Sequence, residues 1–278
     1  AKFVLNEGAG GLLDGSGKHL SLDVQAGEKV YQDFRLEVTH PGGHRSRPTR
    51  ENPISRMAAA LTRLAAYQFP VSLNDTTRAY FLAQAEIASP DVAADMRAVV
   101  ADPTNDEAAQ RLWTANPSWN GMLRTTCVAT QFDGGHAPNA LPQRAKVNVN
   151  CRILPGVPME QVRADLIRVI ADDAISVHFG DEMGLPAPAP PLTAEMLDPI
   201  RTIAKALWPD ARVVPTMATG ATDGRFLNAA GTPTYGISGV FADAAGSGAH
   251  GLNERIRVQS LLDARQLLHE LVKSYTRH

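Results

Sequence analysis

The sequence predicts an α/β protein in which an α/β sandwich domain is interrupted by an inserted α+β unit of ferredoxin-like order. Three observations predict it. Between residues 33 and 180 the regular elements run strand, helix, strand, strand, helix, strand once a helical insertion is set aside. The stiff, extended stretch Leu185-Pro-Ala-Pro-Ala-Pro-Pro191 follows where that unit ends. The flanking segments carry the apolar strands and amphipathic helices of a sandwich. The division that follows is 1–32 as part of the α/β domain, 33–182 as the inserted unit with a helical insertion at about 76–120, and 183–278 as the rest of the α/β domain.

Each element has a local reason. Phe3, Val4 and Leu5 form a short apolar run that stops at Asn6-Glu7-Gly8, a buried strand delivering Glu7 to a loop. From Asp33 to Thr39, Phe34, Leu36 and Val38 alternate with Arg35, Glu37 and Thr39, so this strand has one wet face. Asn52 before Pro53 starts a helix whose face carries Ile54, Met57, Leu61 and Leu64. Helix formers dominate from about Thr76 to Trp113, with breaks at Pro90 and Pro103. Met122 to Gln131 and Lys146 to Leu154 read as strands, Pro158 to Ala171 as an amphipathic helix, and Ala174 to Phe179 as a strand. Thr193 caps a helix to about Trp208, Thr232 to Ile237 is a buried strand, and a last helix carries Leu261, Leu268, Leu271 and Tyr275 on one stripe.

Composition narrows the function classes. Of 278 residues 44% are hydrophobic and 20% charged, the profile of a chain that buries a core. A formal charge of −2 gives no electrostatic pull toward nucleic acid or anionic membranes. An RNA-binding reading of the ferredoxin-like order also lacks an aromatic stacking platform. No run of roughly 20 apolar residues is present for a membrane-spanning helix. Cys127 and Cys151 lack CxxC spacing and read as two buried thiols, leaving the redox compartment open. The chain begins without Met and enters directly on a strand, so a preceding segment is expected, and cytoplasm and periplasm or secretion both remain open.

Four loops could carry chemistry. His250 stands between glycines in Gly246-Ser-Gly-Ala-His250-Gly-Leu-Asn-Glu-Arg255, where an imidazole is accessible as a metal ligand or catalyst, or is incidental. His44, in Pro41-Gly-Gly-His44-Arg-Ser46-Arg-Pro48, has the same two readings. The small residues of Ala218-Thr-Gly-Ala-Thr222-Asp223-Gly224 either let backbone N–H groups meet an anion or form a structural turn. Gly134-Gly-His-Ala-Pro-Asn139-Ala-Leu-Pro142 joins two strands, and Arg152 on the second is either a carboxylate binder or a solvated strand arginine.

Together and in this order, these motifs resemble the C-terminal part of the co-catalytic zinc metallopeptidases, the family of aminoacylase, carboxypeptidase S, carnosinase, acetylornithine deacetylase and succinyl-diaminopimelate desuccinylase. Asn6-Glu7-Gly8 resembles the family's strand-end acidic ligand. Gly43-His44-Arg-Ser46-Arg-Pro48 resembles its GHxSxP segment, and Asn139-Ala-Leu-Pro142 with Asn150-Cys-Arg152 its N-x-L-P and N-x-R strands. Gly220-Ala-Thr-Asp-Gly-Arg225 matches the small-residue loop and His250-Gly-Leu-Asn-Glu254 the terminal HGxNE segment. The match covers essentially the whole chain, and the helical insertion is closer to the carboxypeptidase S branch.

The resemblance implies a zinc-peptidase-like α/β sandwich carrying a ferredoxin-like lid that forms a homodimer. It implies that Glu7 binds one zinc and His250 the other, with cobalt or manganese as substitutes. It further implies that His44 reaches the partner subunit's site to stabilise an oxyanion, that Asn139 and Arg152 hold the substrate's polar groups and carboxylate, and that Gly220, Ala221 and Thr222 line the carboxylate pocket. The implied reaction is hydrolysis of an amide bond in a short peptide or N-acyl amino acid. The family's HxD pair, bridging Asp and Glu-Glu pair are missing: His19 is followed by Leu20 and Ser21, and no two glutamates are adjacent. Two expectations therefore stand side by side, a hydrolase whose N-terminal half is a separate or absent chain, and a non-catalytic dimerising or carboxylate-binding protein.

Overall fold

A computed structural model describes residues 1–43, 51–243, 246–249 and 251–276. The chain opens with β1 (Val4–Asn6), β2 (Gly11–Leu13), β3 (His19–Glu28) and β4 (Val30–Thr39). Helices follow as α1 (Pro53–Ala66), α2 (Asp75–Gln84), α3 (Pro90–Ala101), α4 (Asp106–Ala115) and α5 (Pro117–Leu123). Then come β5 (Thr126–Gly134), β6 (Arg144–Ile153), α6 (Met159–Ile170), β7 (Ser176–Phe179) and α7 (Ala194–Leu207). The chain closes with β8 (Arg212–Ala218), α8 (Gly224–Ala229), β9 (Thr234–Gly236), β10 (Phe241–Ala242) and α9 (Val258–Thr276). These elements form two compact units, Val30–Pro70 with Arg124–Pro186, and Ala1–Lys29 with Val71–Leu123 and Ala187–His278.

The unit of residues 30–70 and 124–186 is ferredoxin-like, as the element order predicts. Its antiparallel sheet runs β5-β6-β4-β7, and β4 pairs with β6 along its whole length, Val30 opposite Ile153 and Thr39 opposite Arg144. Alternation along both strands turns Phe34, Leu36, Val38, Val147, Val149 and Ile153 into one core with Met57 and Leu64 of α1 and Val162, Leu166 and Ile170 of α6. Asn52 caps α1 by accepting from Ile54 N and Ser55 N, with Pro53 at the first helical position. Arg56 grips Asp172 with two hydrogen bonds of 2.9 and 2.7 Å, and Arg63 donates to the Ile170 carbonyl at the end of α6, so the two helices are locked at their ends.

Three expectations change in this unit. The cysteines are not free thiols: Cys127 and Cys151 face each other directly across β5 and β6 and form a disulfide. Their separation of 24 residues hid a pairing that only the strand register creates. The strand read from Met122 begins at Thr126, because Pro117 opens the short helix α5, which buries Met122 and Leu123 at its end. The helical segment read as an insertion of the lid belongs by its packing to the other unit: α2 packs on β8, and Thr76 Oγ1 donates to the Ala26 carbonyl at 3.0 Å.

In that second unit β3 hydrogen-bonds with three strands, parallel to β8 and antiparallel to β2 and β9, while β1 and β10 extend the mixed sheet as parallel partners of β9 and β2. Leu22, Val24 and Ala26 of β3 pack with Met196, Ile200 and Ala204 of α7, Tyr235, Phe241, and Leu267 and Leu271 of α9. Thr193 caps α7 by accepting from Met196 N. The run Phe3 to Leu5, expected to be buried, is half-buried because among the described residues β1 pairs with β9 alone, at the edge of the sheet. On α9 the buried stripe is Ser260, Ala264, Leu267 and Leu271, and Leu261 faces out.

Removal of the α1 cap by Asn52→Ala is expected to cost about 1 kcal/mol in urea unfolding, with Asn52→Ser retaining most of it, because only the side-chain oxygen at this position satisfies the helix's first N–H groups.

Candidate functional site

The sandwich unit places Glu7 where β1 ends. The chain leaves the strand through Gly8, at φ 128°, where a Cβ would stand 2.5 Å from Gln25 Oε1, so the turn that presents Glu7 requires glycine. Glu7 is exposed, and it lines a small cavity with Asn6, Gln25, Glu28, Thr222 and Gly224. Two of the sequence-derived candidates, Glu7 and Thr222, are thereby brought together.

Thr222 is already engaged. Its N–H and its hydroxyl both donate to Glu28 Oε2, at 2.6 and 2.9 Å, and its Oγ1 accepts from Gly224 N at 3.2 Å as α8 begins. Gly220 and Ala221 are exposed on the same loop. Glu28 is only 5% exposed, and burial pushes its carboxyl up, an effect the two Thr222 bonds and the Arg225 charge partly offset. Its second oxygen, Oε1, is buried without a hydrogen-bond partner among the described residues, as is Asn6 Nδ2 in the same cavity. Next along the chain, Lys29 is 1% exposed and donates to the Gly121 carbonyl at 2.8 Å.

Sequence reasoning missed Glu28, Gln25 and Asn6. The available signal was Gly27-Glu28-Lys29, a charged pair closing the run that begins at Leu20.

The other candidates lie elsewhere. Asn139 is exposed on a turn between β5 and β6 of the ferredoxin-like unit. Arg152, on the polar face of β6, stacks its guanidinium 4.7 Å from the Tyr31 ring centre. Beside it Asp33 accepts from Asn148, Asn150 and Tyr31, which hold its carboxyl below the ordinary range against a burial cost. His44 and His250 lie outside the described residues. Among the described residues no three His, Cys, Asp or Glu side chains converge as a metal site.

A larger cavity of about 520 Å³ opens in the sandwich unit, lined by Asp23, Tyr80, Trp119, Phe241 and Arg255. Trp119 Nε1 donates to the Tyr80 hydroxyl at 3.2 Å, and burial pushes Tyr80 up to about 12. Asp23 Oδ1 has no hydrogen-bond partner among the described residues, and burial pushes the Asp23 carboxyl up to about 6, with Ser21 offsetting part of the shift.

Residues 26–178, more than half of the chain, match the model of the M20 peptidase dimerisation domain. The chain belongs to the M20 peptidase family. The human N-fatty-acyl-amino acid synthase/hydrolase PM20D1 is 27% identical over 281 residues, covering 98% of this chain and 55% of that protein. The probable carboxypeptidase S-like 2 of Dictyostelium discoideum is 25% identical, covering 98% and 53%. Among solved structures, an M20 family metallo-carboxypeptidase from Sulfolobus solfataricus superposes with a TM-score of 0.61 at 19% identity, over 96% of this chain and 62% of that one, a likeness of fold. The chain spans about half the length of the curated relatives it matches. Among the described residues no helix is long and apolar enough to cross a membrane.

The raised Asp23 pKa fixes the sign of a pH effect. Between the ordinary carboxylate range and about 6, the folded chain keeps a proton that the unfolded chain has released. Stability from this group therefore falls as pH rises through that window, and the buried charge is most costly above it. Asp23→Asn is expected to stabilise the chain by about 2 kcal/mol near pH 8 and to change little near pH 4, read as the difference between urea melts at the two pH values.

Proposed function

We propose that this chain is the part of an amide hydrolase that binds substrate and supplies one acidic metal ligand, acting on an N-acyl amino acid or short peptide with a free carboxylate. The observation that carries the reading is the shared cavity of Glu7 and Thr222 in a chain of this family. In this reading Glu7 and His250 each serve one zinc, His44 steadies the oxyanion from the lid, and Asn139 and Arg152 hold polar groups and the carboxylate. A planar guanidinium suits that last task, since it can meet both carboxylate oxygens at once. The loop of Gly220, Ala221 and Thr222 lines the carboxylate pocket, with the Thr222 donors held by Glu28 and the N–H groups of Gly220 and Ala221 turned to the substrate.

A catalytic zinc takes about three protein ligands. Among the described residues Glu7 stands without two neighbours of ligating type, so these residues alone do not complete a site for zinc, cobalt or manganese. The second reading is a dimerising or carboxylate-binding protein without hydrolysis.

One experiment separates the two readings. The purified 278-residue chain, alone and supplemented with a polypeptide supplying the remaining half of the relatives' length, is assayed against N-acyl amino acids and dipeptides while zinc per chain is measured. Under the hydrolase reading the supplemented protein holds about two zincs and turns over, and His250→Ala abolishes turnover. Unchanged turnover in that variant would sink the reading, whereas metal-dependent hydrolysis by the chain alone would eliminate the non-catalytic one.

The dimer is proposed to form through β5, an edge strand that among the described residues pairs with β6 alone and exposes Val128 and Phe132. Val128→Lys is expected to weaken self-association at least about tenfold in sedimentation equilibrium while leaving the unfolding transition in place.

A further inference from the structure

We propose that Glu28 is a positioning residue that claims the Thr222 donors and so leaves the Gly220 and Ala221 N–H groups as the loop's donors for a substrate carboxylate. This rests on the hydrolase reading for its functional half and on geometry alone for its structural half.

The chain of bonds is continuous. The Gly224 N–H donates to Thr222 Oγ1, the Thr222 hydroxyl donates to Glu28 Oε2, and the Thr222 N–H donates to the same oxygen. One carboxylate oxygen on β3 thus sets both the loop backbone and the first turn of α8. A carboxylate 5% exposed is costly to bury, and hydrogen bonds to a charged acceptor return the most when the donors are held in place. The N–H groups of a small-residue loop are the natural seat of an anion; here the anion at Thr222 is the protein's own. An incoming carboxylate cannot share that N–H without displacing Glu28, which sits on a strand hydrogen-bonded to β8 up to Glu28 itself. Gly220 and Ala221, exposed on the same loop, carry no such partner among the described residues.

Glu28 Oε1 stands without a hydrogen-bond partner among the described residues, in the cavity that Glu28 shares with Glu7. That placement ties the loop's geometry to the strand end that presents the candidate metal ligand, through one side chain.

The test uses Glu28→Ala, Glu28→Gln and Thr222→Val in the full chain, with amide hydrogen exchange at residues 219–224 as the first readout. Glu28→Ala is expected to raise exchange there by at least about tenfold, while Glu28→Gln, which keeps an accepting oxygen, stays within about threefold of the original. Exchange in the ferredoxin-like unit stays unchanged in both. The second readout is steady-state kinetics of the supplemented hydrolase on a carboxylate-bearing substrate: Glu28→Ala raises KM about tenfold with kcat within about threefold, and Glu28→Gln rescues it. Unaltered loop exchange in Glu28→Ala, or equal disturbance by Glu28→Gln, overturns the proposal. If Glu28→Ala fails to fold, Thr222→Val decides, since loss of one donor must raise loop exchange if the bond chain holds the loop. Absence of turnover in the supplemented original protein would refute the hydrolase reading, while the exchange data would still judge the positioning role.

Discussion

The sandwich unit is assembled on one strand. β3 carries hydrogen bonds to β2, β8 and β9, and its side chains from Ser21 to Glu28 are buried or nearly so. Its apolar positions fix where α7 and α9 pack. Its polar positions are spent on sites: Asp23 borders the large cavity, and Gln25 and Glu28 enclose the small one with Glu7. A strand buried on both faces has no solvent to accept its charges, which is why its two carboxyl groups are both pushed up by burial.

That same burial decided what could be read from sequence. β4 and β6 have one wet face, so their alternation was legible, as were α1 and α6 through their 3.6-residue period and the Asn52-Pro53 start. β3 mixes Leu22, Val24 and Ala26 with Ser21, Asp23 and Gln25, and the polar residues are buried or nearly so rather than facing water, so its alternation gives no hint of its centrality. β8 went unread for a related reason: Pro215 stands within it, a residue that argues against a strand. On α9 leucines occupy both faces, and the stripe drawn through Leu261 took an outward position for a buried one.

The site was legible to the extent that chemistry shows in residue type. Glycines beside Glu7 and small residues before Thr222 mark two loops, and the fold brings these two residues to one cavity. What pattern could not show was that the anion held at Thr222 comes from within the chain. That fact depends on parallel pairing of β3 with β8, which puts Glu28 opposite Ala218 across more than 180 residues of sequence.

The Cys127–Cys151 bridge joins residues in direct cross-strand register, one of them on the outermost strand of its sheet. Beyond it the ladder shifts between Ala129 and Gln131, so Val128 stands opposite Asn150 and Phe132 opposite Val147, on different faces of the sheet. A strand with such an irregularity could slide by one residue and exchange the side chains it shows to water. The covalent link opposes that slip, because it pins Cys127 opposite Cys151 and with it the faces on which Val128 and Phe132 stand.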